Sequence, residues 1–153
     1  LLLGFLDENN PRAVSRSTLD KWVSEGVINY LGISDYVEEE IAKVDCVVLP
    51  SYYREGVPRS LLEAGAMAKM IITTNNVGCR DVVDDGVNGF LCNVRDEDDL
   101  AQKLEKVILM SDDERLEMGL QSRLKIEREF DEAIVISKYL DAINQVLGHK
   151  VVI

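Results

Sequence analysis

Glu55 and Glu63 are the residues whose type and spacing most readily do chemistry. They lie in the stretch Leu49-Pro50-Ser51-Tyr52-Tyr53-Arg54-Glu55-Gly56-Val57-Pro58-Arg59-Ser60-Leu61-Leu62-Glu63-Ala64. One acid falls in a tight loop and the other about a turn and a half into a helix, so both can face one cleft. A carboxylate suits vicinal hydroxyls, because its two oxygens accept two O–H bonds in a fixed plane. Gly56 has no Cβ and lets the backbone approach a ligand closely. Pro58 fits a first helical turn, where a missing N–H costs nothing. The free N–H groups and positive end of that helix suit phosphate. At this point the alternative stays open that both acids are solvated charges complementing the helix dipole.

Other polar candidates point less clearly. Arg80 follows a strand end and can reach a phosphate, or equally pair with Asp81 or Asp84. Trp22 and the Tyr52-Tyr53 pair offer stacking surfaces, but Trp22 sits at core spacing. His149 is the single histidine and lies near the end of the chain, which argues against a triad and for a surface residue. Asp84-Asp85-Gly86 and Asp112-Asp113 read as turn and helix-cap chemistry rather than metal ligands. Cys46, Cys79 and Cys92 lack metal-ligand spacing and lie in or beside apolar runs, the pattern of buried thiols in a reducing compartment. No glycine-rich loop of the P-loop or dinucleotide type is present.

The elements that must hold these residues follow from periodicity. Apolar runs at 1–6, 27–31, 46–49, 70–74 and 90–92 predict short strands. Pro50 stops the third of them, and Asp7-Glu8-Asn9-Asn10-Pro11 ends the first as a turn. Between them, Ser17 with Asp20 resembles a capping box for a helix carrying Leu19, Trp22 and Val23 and stopped by Gly26. Asp35 with Glu38 opens a second helix with Val37, Ile41 and Val44 on one face. A third helix runs from Pro58 to about Ala68, and a short one from Arg80 to Val83. Beyond Cys92 the chain reads as helical. Asp96 caps a helix carrying Leu100, Leu104, Val107 and Ile108. Ser111 with Glu114 caps one with a Leu116/Leu120/Leu124 stripe. Asp131 caps a last helix that turns Val135, Tyr139, Ala142, Ile143 and Val146 inward.

All-apolar strands alternating with amphipathic helices predict an α/β fold, a doubly wound parallel sheet covered on both faces. Ligands in such sheets bind outside the carboxyl ends of the strands, which is where Glu55 falls. The chain reads as one domain over 1–153, alternating over 1–92 and helical over 93–153.

The 153 residues are 46% hydrophobic and 29% charged, ordinary for a globular protein. Seventeen basic against 28 acidic residues give −11, which disfavours a nucleic-acid surface. No apolar run approaches the roughly 20 residues of a membrane span. Leu1-Leu2-Leu3 is too short for a secretory signal, and the start without methionine inside an apolar run reads as a fragment of something longer.

The stretch Pro50-Ser51-(x3)-Glu55-Gly56-Val57-Pro58-(x3)-Leu62-Glu63-Ala64 resembles the paired-glutamate signature of family 4 glycosyltransferases. The likeness continues through Ile71-Ile72-Thr73-Thr74, Gly78-Cys79-Arg80-Asp81-Val82-Val83 and Asp85-Gly86-Val87-Asn88-Gly89-Phe90-Leu91. It reaches back to Asp7-(x2)-Asn10-Pro11 and Tyr30-Leu31-Gly32, covering almost the whole chain. The resemblance implies a Rossmann-like C-terminal half of a GT-B fold, in a retaining, hexosyltransferase-type enzyme of the kind that builds lipid-linked oligosaccharide, capsule or O-antigen. It implies a nucleotide-sugar donor, expected to be a UDP-sugar, and a glycan or polyprenyl-diphosphate-linked acceptor. Glu55 would lie beside the donor sugar hydroxyls as the catalytic residue. Gly56 and Val57 would bring amides to sugar and phosphate where Pro58 and Arg59 open the helix. Glu63 would bind the ribose, and Ile33 and Ser34 would line the base pocket. No cofactor or metal is expected, since the nucleotide-sugar is a substrate. The expected place is cytoplasmic, with peripheral association at the inner membrane face open to the parent.

Departures from the family pattern also matter. The Arg and Lys that normally clamp the diphosphate lie upstream of Leu1, and Arg12 and Lys21 fall on the wrong elements to replace them. Ala68 and Met70 stand where a glycine and a proline are common. In the strand order 3-2-1-4-5-6, the absent first strand belongs in mid-sheet. The expectation is therefore a fragment closed up around that gap or completed by another chain, inactive without its N-terminal domain. The alternatives are a sugar-nucleotide epimerase of the same shape and a non-catalytic α/β binding module.

Overall fold

The apolar runs at 46–49, 70–74 and 90–92 fold as parallel strands; of the run 1–6 only Leu2–Leu3 is strand, and the strand expected at 27–31 falls at Tyr30–Gly32. In the computed structural model, which describes residues 1–10, 12–54 and 56–147, the order is β1 (Leu2–Leu3), α1 (Arg16–Ser24), β2 (Tyr30–Gly32), α2 (Val37–Ala42), β3 (Cys46–Leu49), α3 (Arg59–Ala66), β4 (Met70–Thr74), β5 (Gly89–Cys92), α4 (Glu97–Leu109), α5 (Asp112–Glu129) and α6 (Glu132–Leu147). Two compact units divide the chain, Leu1–Glu40 and Ile41–Ile153. The boundary falls within α2.

In the first unit β1 and β2 pair in parallel, Leu2 opposite Tyr30 and Leu3 opposite Gly32, with a slip of register between them. The helix between them starts earlier than expected. Ser15 is its N-cap and accepts from the Thr18 amide, while Asp20 is drawn instead into an i,i+4 ion pair with Arg16 at 3.0 Å. Gly26, at φ +70, ends it as expected, and Leu19 is the residue it buries.

The second unit holds the ladder β3-β4-β5, parallel throughout, with Val48 opposite Ile72 and Ile72 opposite Phe90. Every residue of β4 is buried. On one face Ile71 packs with Leu61 and Ala64 of α3 and Ile126 of α5; on the other, Met70 and Ile72 pack with Phe90 and Val107 of α4. Burying each such aliphatic side chain is worth roughly 1.5–3 kcal/mol. The sheet is thus covered on both faces, as its all-apolar strands require. Cys79 and Cys92 are buried and Cys46 half-buried; burial pushes the Cys46 thiol up to about 12.

Four helical expectations are corrected. The short helix expected from Arg80 to Val83 does not form, and 77–81 are turns, because Asn88 takes the backbone that would continue a helix: its Oδ1 accepts from the Asp84 amide at 2.7 Å and its Nδ2 donates to Val82 O at 3.0 Å. On α4, Val107 is buried, but Ile108 is 75% exposed. On α5 the Leu116/Leu120/Leu124 stripe faces outward, and the buried face is Gly119, Ser122, Lys125 and Ile126. On α6 no residue is buried; Val135, Tyr139, Ile143 and Val146 are all exposed among the described residues.

The buried face of α5 is small and polar because backbone comes close to it. A Cβ added at Gly119 would lie 2.1 Å from Ala68 O, and one at Gly65 of α3 would lie 2.6 Å from Cγ1 of Ile126. Ser122 Oγ donates to Asn88 O at 2.8 Å. Lys125 Nζ reaches Asp84 at 2.7 Å and Glu129 at 3.2 Å. Burial works against its ammonium, but the hydrogen bonds to Asp84 and Glu129 outweigh that and raise its pKa.

Two outcomes follow for stability. Gly119→Ala should lose about 1–3 kcal/mol to overpacking against rigid backbone, whereas Leu120→Lys on the opposite face should stay within about 0.5 kcal/mol of wild type; urea melts of both variants check the inverted helix face. Lys125→Met should cost about 1.5–3 kcal/mol by removing charged hydrogen bonds. A lysine whose folded pKa is raised stabilises fully below its unfolded value of about 10.4, and that contribution fades as pH rises through the folded value. Melts at pH 8 and pH 11 should therefore show a smaller gap between wild type and variant at the alkaline pH.

Candidate functional site

The polar atoms that shape the site sit where β3 and β4 end. Thr73 and Thr74 close an otherwise apolar strand and are fully buried, so their hydroxyls need partners. They donate to the two carbonyls by which β3 leaves the sheet, Thr73 to Leu49 O at 2.7 Å and Thr74 to Ser51 O. Asn76 continues the seam, its Nδ2 donating to Tyr52 O at 2.9 Å and Tyr53 O at 3.1 Å. The segment 51–53 is thereby fastened to the end of β4. Arg95, just beyond β5, lies over the Tyr52 ring at 3.6 Å, and Tyr53 meets Tyr52 edge-on at 5.3 Å.

This segment leads into α3. Pro58 is not the first helical residue but its N-cap, extended at φ −64 and ψ 127, and buried. Its carbonyl accepts from Leu61 and Leu62, at 3.1 and 3.3 Å. Proline brings no capping side chain. Ser15, Asp96 and Ser111 cap α1, α4 and α5 with side-chain oxygens, and α4 and α5 add three acids each to their first turns. The first turn of α3 holds no acid. Among the described residues the amides of Gly56, Val57, Arg59 and Ser60 have no hydrogen-bond partner. A helix start left in this state favours an anion. At Gly56 a Cβ would meet nothing within 4 Å, and its φ lies outside the left-handed region, so neither packing nor strain calls for glycine there.

Glu63 stands on α3, half-buried, with its Oε1 accepting from Arg59 Nε at 2.9 Å. The Arg59 side chain is 91% exposed, and an ion pair so placed is worth at most about 1 kcal/mol. A hydroxyl ligand can displace it or use the second oxygen. Glu55 and His149 lie outside the described residues. Ile33 and Ser34 belong to the first unit; Ile33 is 75% exposed and Ser34 Oγ accepts from the Tyr36 amide at 3.1 Å. Arg80 is exposed and makes no ion pair among the described residues, since Asp84 is taken by Lys125. Trp22 is half-buried.

Thr73 and Thr74 entered the sequence reading only as part of a strand and of the family likeness, and Asn76 and Arg95 were not singled out as site residues. The signal for the first three was a switch from apolar to polar residues at the carboxyl end of a strand that is otherwise all core. Among the described residues no helix is long and apolar enough to cross a membrane.

A family model described as "Glycosyl transferases group 1" matches residues 2–125. N,N'-diacetylbacillosaminyl-diphospho-undecaprenol alpha-1,3-N-acetylgalactosaminyltransferase of Campylobacter jejuni is 31% identical over 148 residues, 96% of this chain and 37% of that protein. The capsular polysaccharide biosynthesis glycosyltransferase CapM of Staphylococcus aureus is 36% identical over 90 residues, 58% of this chain and 23% of that one. The chain therefore spans under two-fifths of the length of these curated relatives. Among solved structures, Anabaena Alr3699/HepE in complex with UDP aligns with a TM-score of 0.81 at 19% identity, over 94% of this chain and 40% of that one. Sucrose-phosphate synthase from Thermosynechococcus elongatus aligns at 0.80 and 20% identity, over 96% and 38%. With the family pattern running from residue 2 to residue 125, the chain belongs to the group 1 glycosyl transferases.

Proposed function

We propose that this chain supplies the nucleotide-sugar site of a retaining, hexosyl-type glycosyltransferase whose acceptor is a glycan or a polyprenyl-diphosphate-linked sugar. The observation that carries the reading is the run of amides at Gly56, Val57, Arg59 and Ser60 left open among the described residues, at a helix start with no side-chain cap at Pro58 and no acid in its first turn. Those amides receive the donor diphosphate. Glu63, one turn further along α3, accepts the two ribose hydroxyls through its carboxylate, and Glu55 engages hydroxyls of the transferred sugar. Ile33 and Ser34 line the base pocket. The acceptor class is supported by the diphospho-undecaprenol named for the Campylobacter relative, and the uridine base by the UDP held in Anabaena Alr3699/HepE.

In the reaction the bond between the anomeric carbon and the diphosphate oxygen breaks, and its electron pair leaves with the diphosphate. The acceptor oxygen bonds to the anomeric carbon from the same face, and its proton passes to the departing oxygen, so configuration is retained. Aligned amides stabilise the charge that develops on the leaving group. Cations and an acceptor site come from an N-terminal domain outside these residues. The reading calls for no separate cofactor, and its setting is cytoplasmic, with the parent working at the inner membrane face.

Calorimetric titration with UDP, beside a thermal-shift panel of UDP-, GDP- and ADP-sugars, tests the assignment. Wild type should respond to the uridine members first. Glu63→Ala should weaken UDP binding about tenfold or more, the worth of charged hydrogen bonds at about 1.5–3 kcal/mol. An unchanged affinity in that variant would remove the ribose role.

A further inference from the structure

We infer that Arg95 is a positioning residue, a latch whose guanidinium stacks on Tyr52 and holds the loop that leads to the open amides of Gly56 and Val57. The inference rests on the donor reading above. Arg95 stands at φ +61, and Ala68 is the other non-glycine residue described at positive φ. A long side chain in the left-handed region is held there against steric cost, so something must retain it. Acidic neighbours do not. Asp96 caps α4 through the Asp99 amide, and Asp99 takes the Asn93 amide at 2.7 Å and Lys103 at 3.5 Å. Arg95 makes no ion pair with any of them among the described residues; its guanidinium instead lies 3.6 Å from the centroid of Tyr52.

Core packing does not account for the contact either, because Arg95 and Tyr52 are both exposed. What the pair does join is the end of β5 and the segment that leaves β3. That segment is already fastened from the β4 side, at Ser51 by Thr74 and at Tyr52 and Tyr53 by Asn76. Those bonds hold its backbone, while Arg95 holds its side-chain face. A loop closed from both sides loses less freedom when a ligand settles on the amides beyond it.

The test compares Arg95→Asn, which tolerates the left-handed backbone without a cation, Arg95→Gly, which also relieves the strain, and Arg95→Lys and Tyr52→Phe, which keep a cation and a ring. Three quantities are read on the full chain: hydrogen exchange of the amides at 51–57, the Kd for UDP, and Tm. Asn and Gly should speed exchange and weaken UDP binding about two- to fivefold, the range set by an exposed cation–π contact. Their Tm should not fall, and in Gly should rise. Lys and Phe should restore most of the affinity. Unchanged exchange and Kd in Asn and Gly overturn the latch, as does a loss of affinity that tracks a fall in Tm and is not rescued by Lys and Phe. A wild-type chain that does not bind UDP overturns the donor reading on which this role rests, a failure separate from that of the latch.

Discussion

A strand buried on both faces cannot leave polar atoms unpaired, and β4 ends in two threonines. An unmade hydrogen bond at such a place costs about 1–3 kcal/mol, a sizeable part of a domain's net stability. The hydroxyls of Thr73 and Thr74 find the carbonyls of Leu49 and Ser51. That choice fixes where β3 stops following its neighbour and where the next segment begins. Pro50, which cannot donate to a ladder, makes the departure irreversible at the same point. The loop that precedes α3 thus inherits its starting point from the burial of a different strand.

A second constraint operates on the far side of the same helix. α3 lies against α5 at Gly65, where even a methyl group would meet Ile126, and the turn that follows α3 lies against Gly119, where one would meet the Ala68 carbonyl. Contact that close fixes the height of α3 above the sheet, and with it the position of its first turn. Ala68, at φ +54, carries the cost of turning back toward β4 at a position where the resembled family commonly has glycine. Ser122 and Lys125 then complete the α5 face by binding Asn88 O and Asp84. The same asparagine and aspartate shape the turn ahead of β5. Site and scaffold therefore meet in backbone contacts, which side-chain hydropathy does not record.

This is why the legible and illegible parts of the sequence divide as they do. The strands of the β3-β4-β5 ladder were legible because burial leaves a plain apolar run, and the caps at Asp96 and at Ser111 with Glu114 because capping chemistry is local; the run at 1–6 was misleading, since only exposed Leu2–Leu3 of it is strand. The buried face of α5 was not, because close backbone approach selects Gly119 and Ser122 while the outer face carries Leu116, Leu120 and Leu124. The inward face expected of α6 failed for a related reason: an apolar stripe says that a helix can bury a face, not that a partner lies within the same residues. Of the site, Glu63 and Gly56 could be named as candidates from residue type and spacing. The seam made by Thr74 and Asn76 with the 51–53 segment depends on parallel register between β3 and β4, a relation across more than twenty residues that no local pattern encodes.

The distribution of charge closes the argument for where an anion can settle. With 28 acids against 17 bases, most of this surface repels a nucleotide. The acids are not spread evenly: α2, α4 and α5 each carry three in their first turns, where they satisfy the positive helix end from within. Only where that internal compensation is withheld does a helix end keep its attraction for an outside charge. At α3 it is withheld twice, by a proline where a capping side chain could stand and by a first turn free of carboxylate. Arg54, Arg59 and Arg95 then place three exposed cations on or beside the same loop and helix. Among the described helices α3 is thus the one whose start has neither a side-chain cap nor a carboxylate in its first turn.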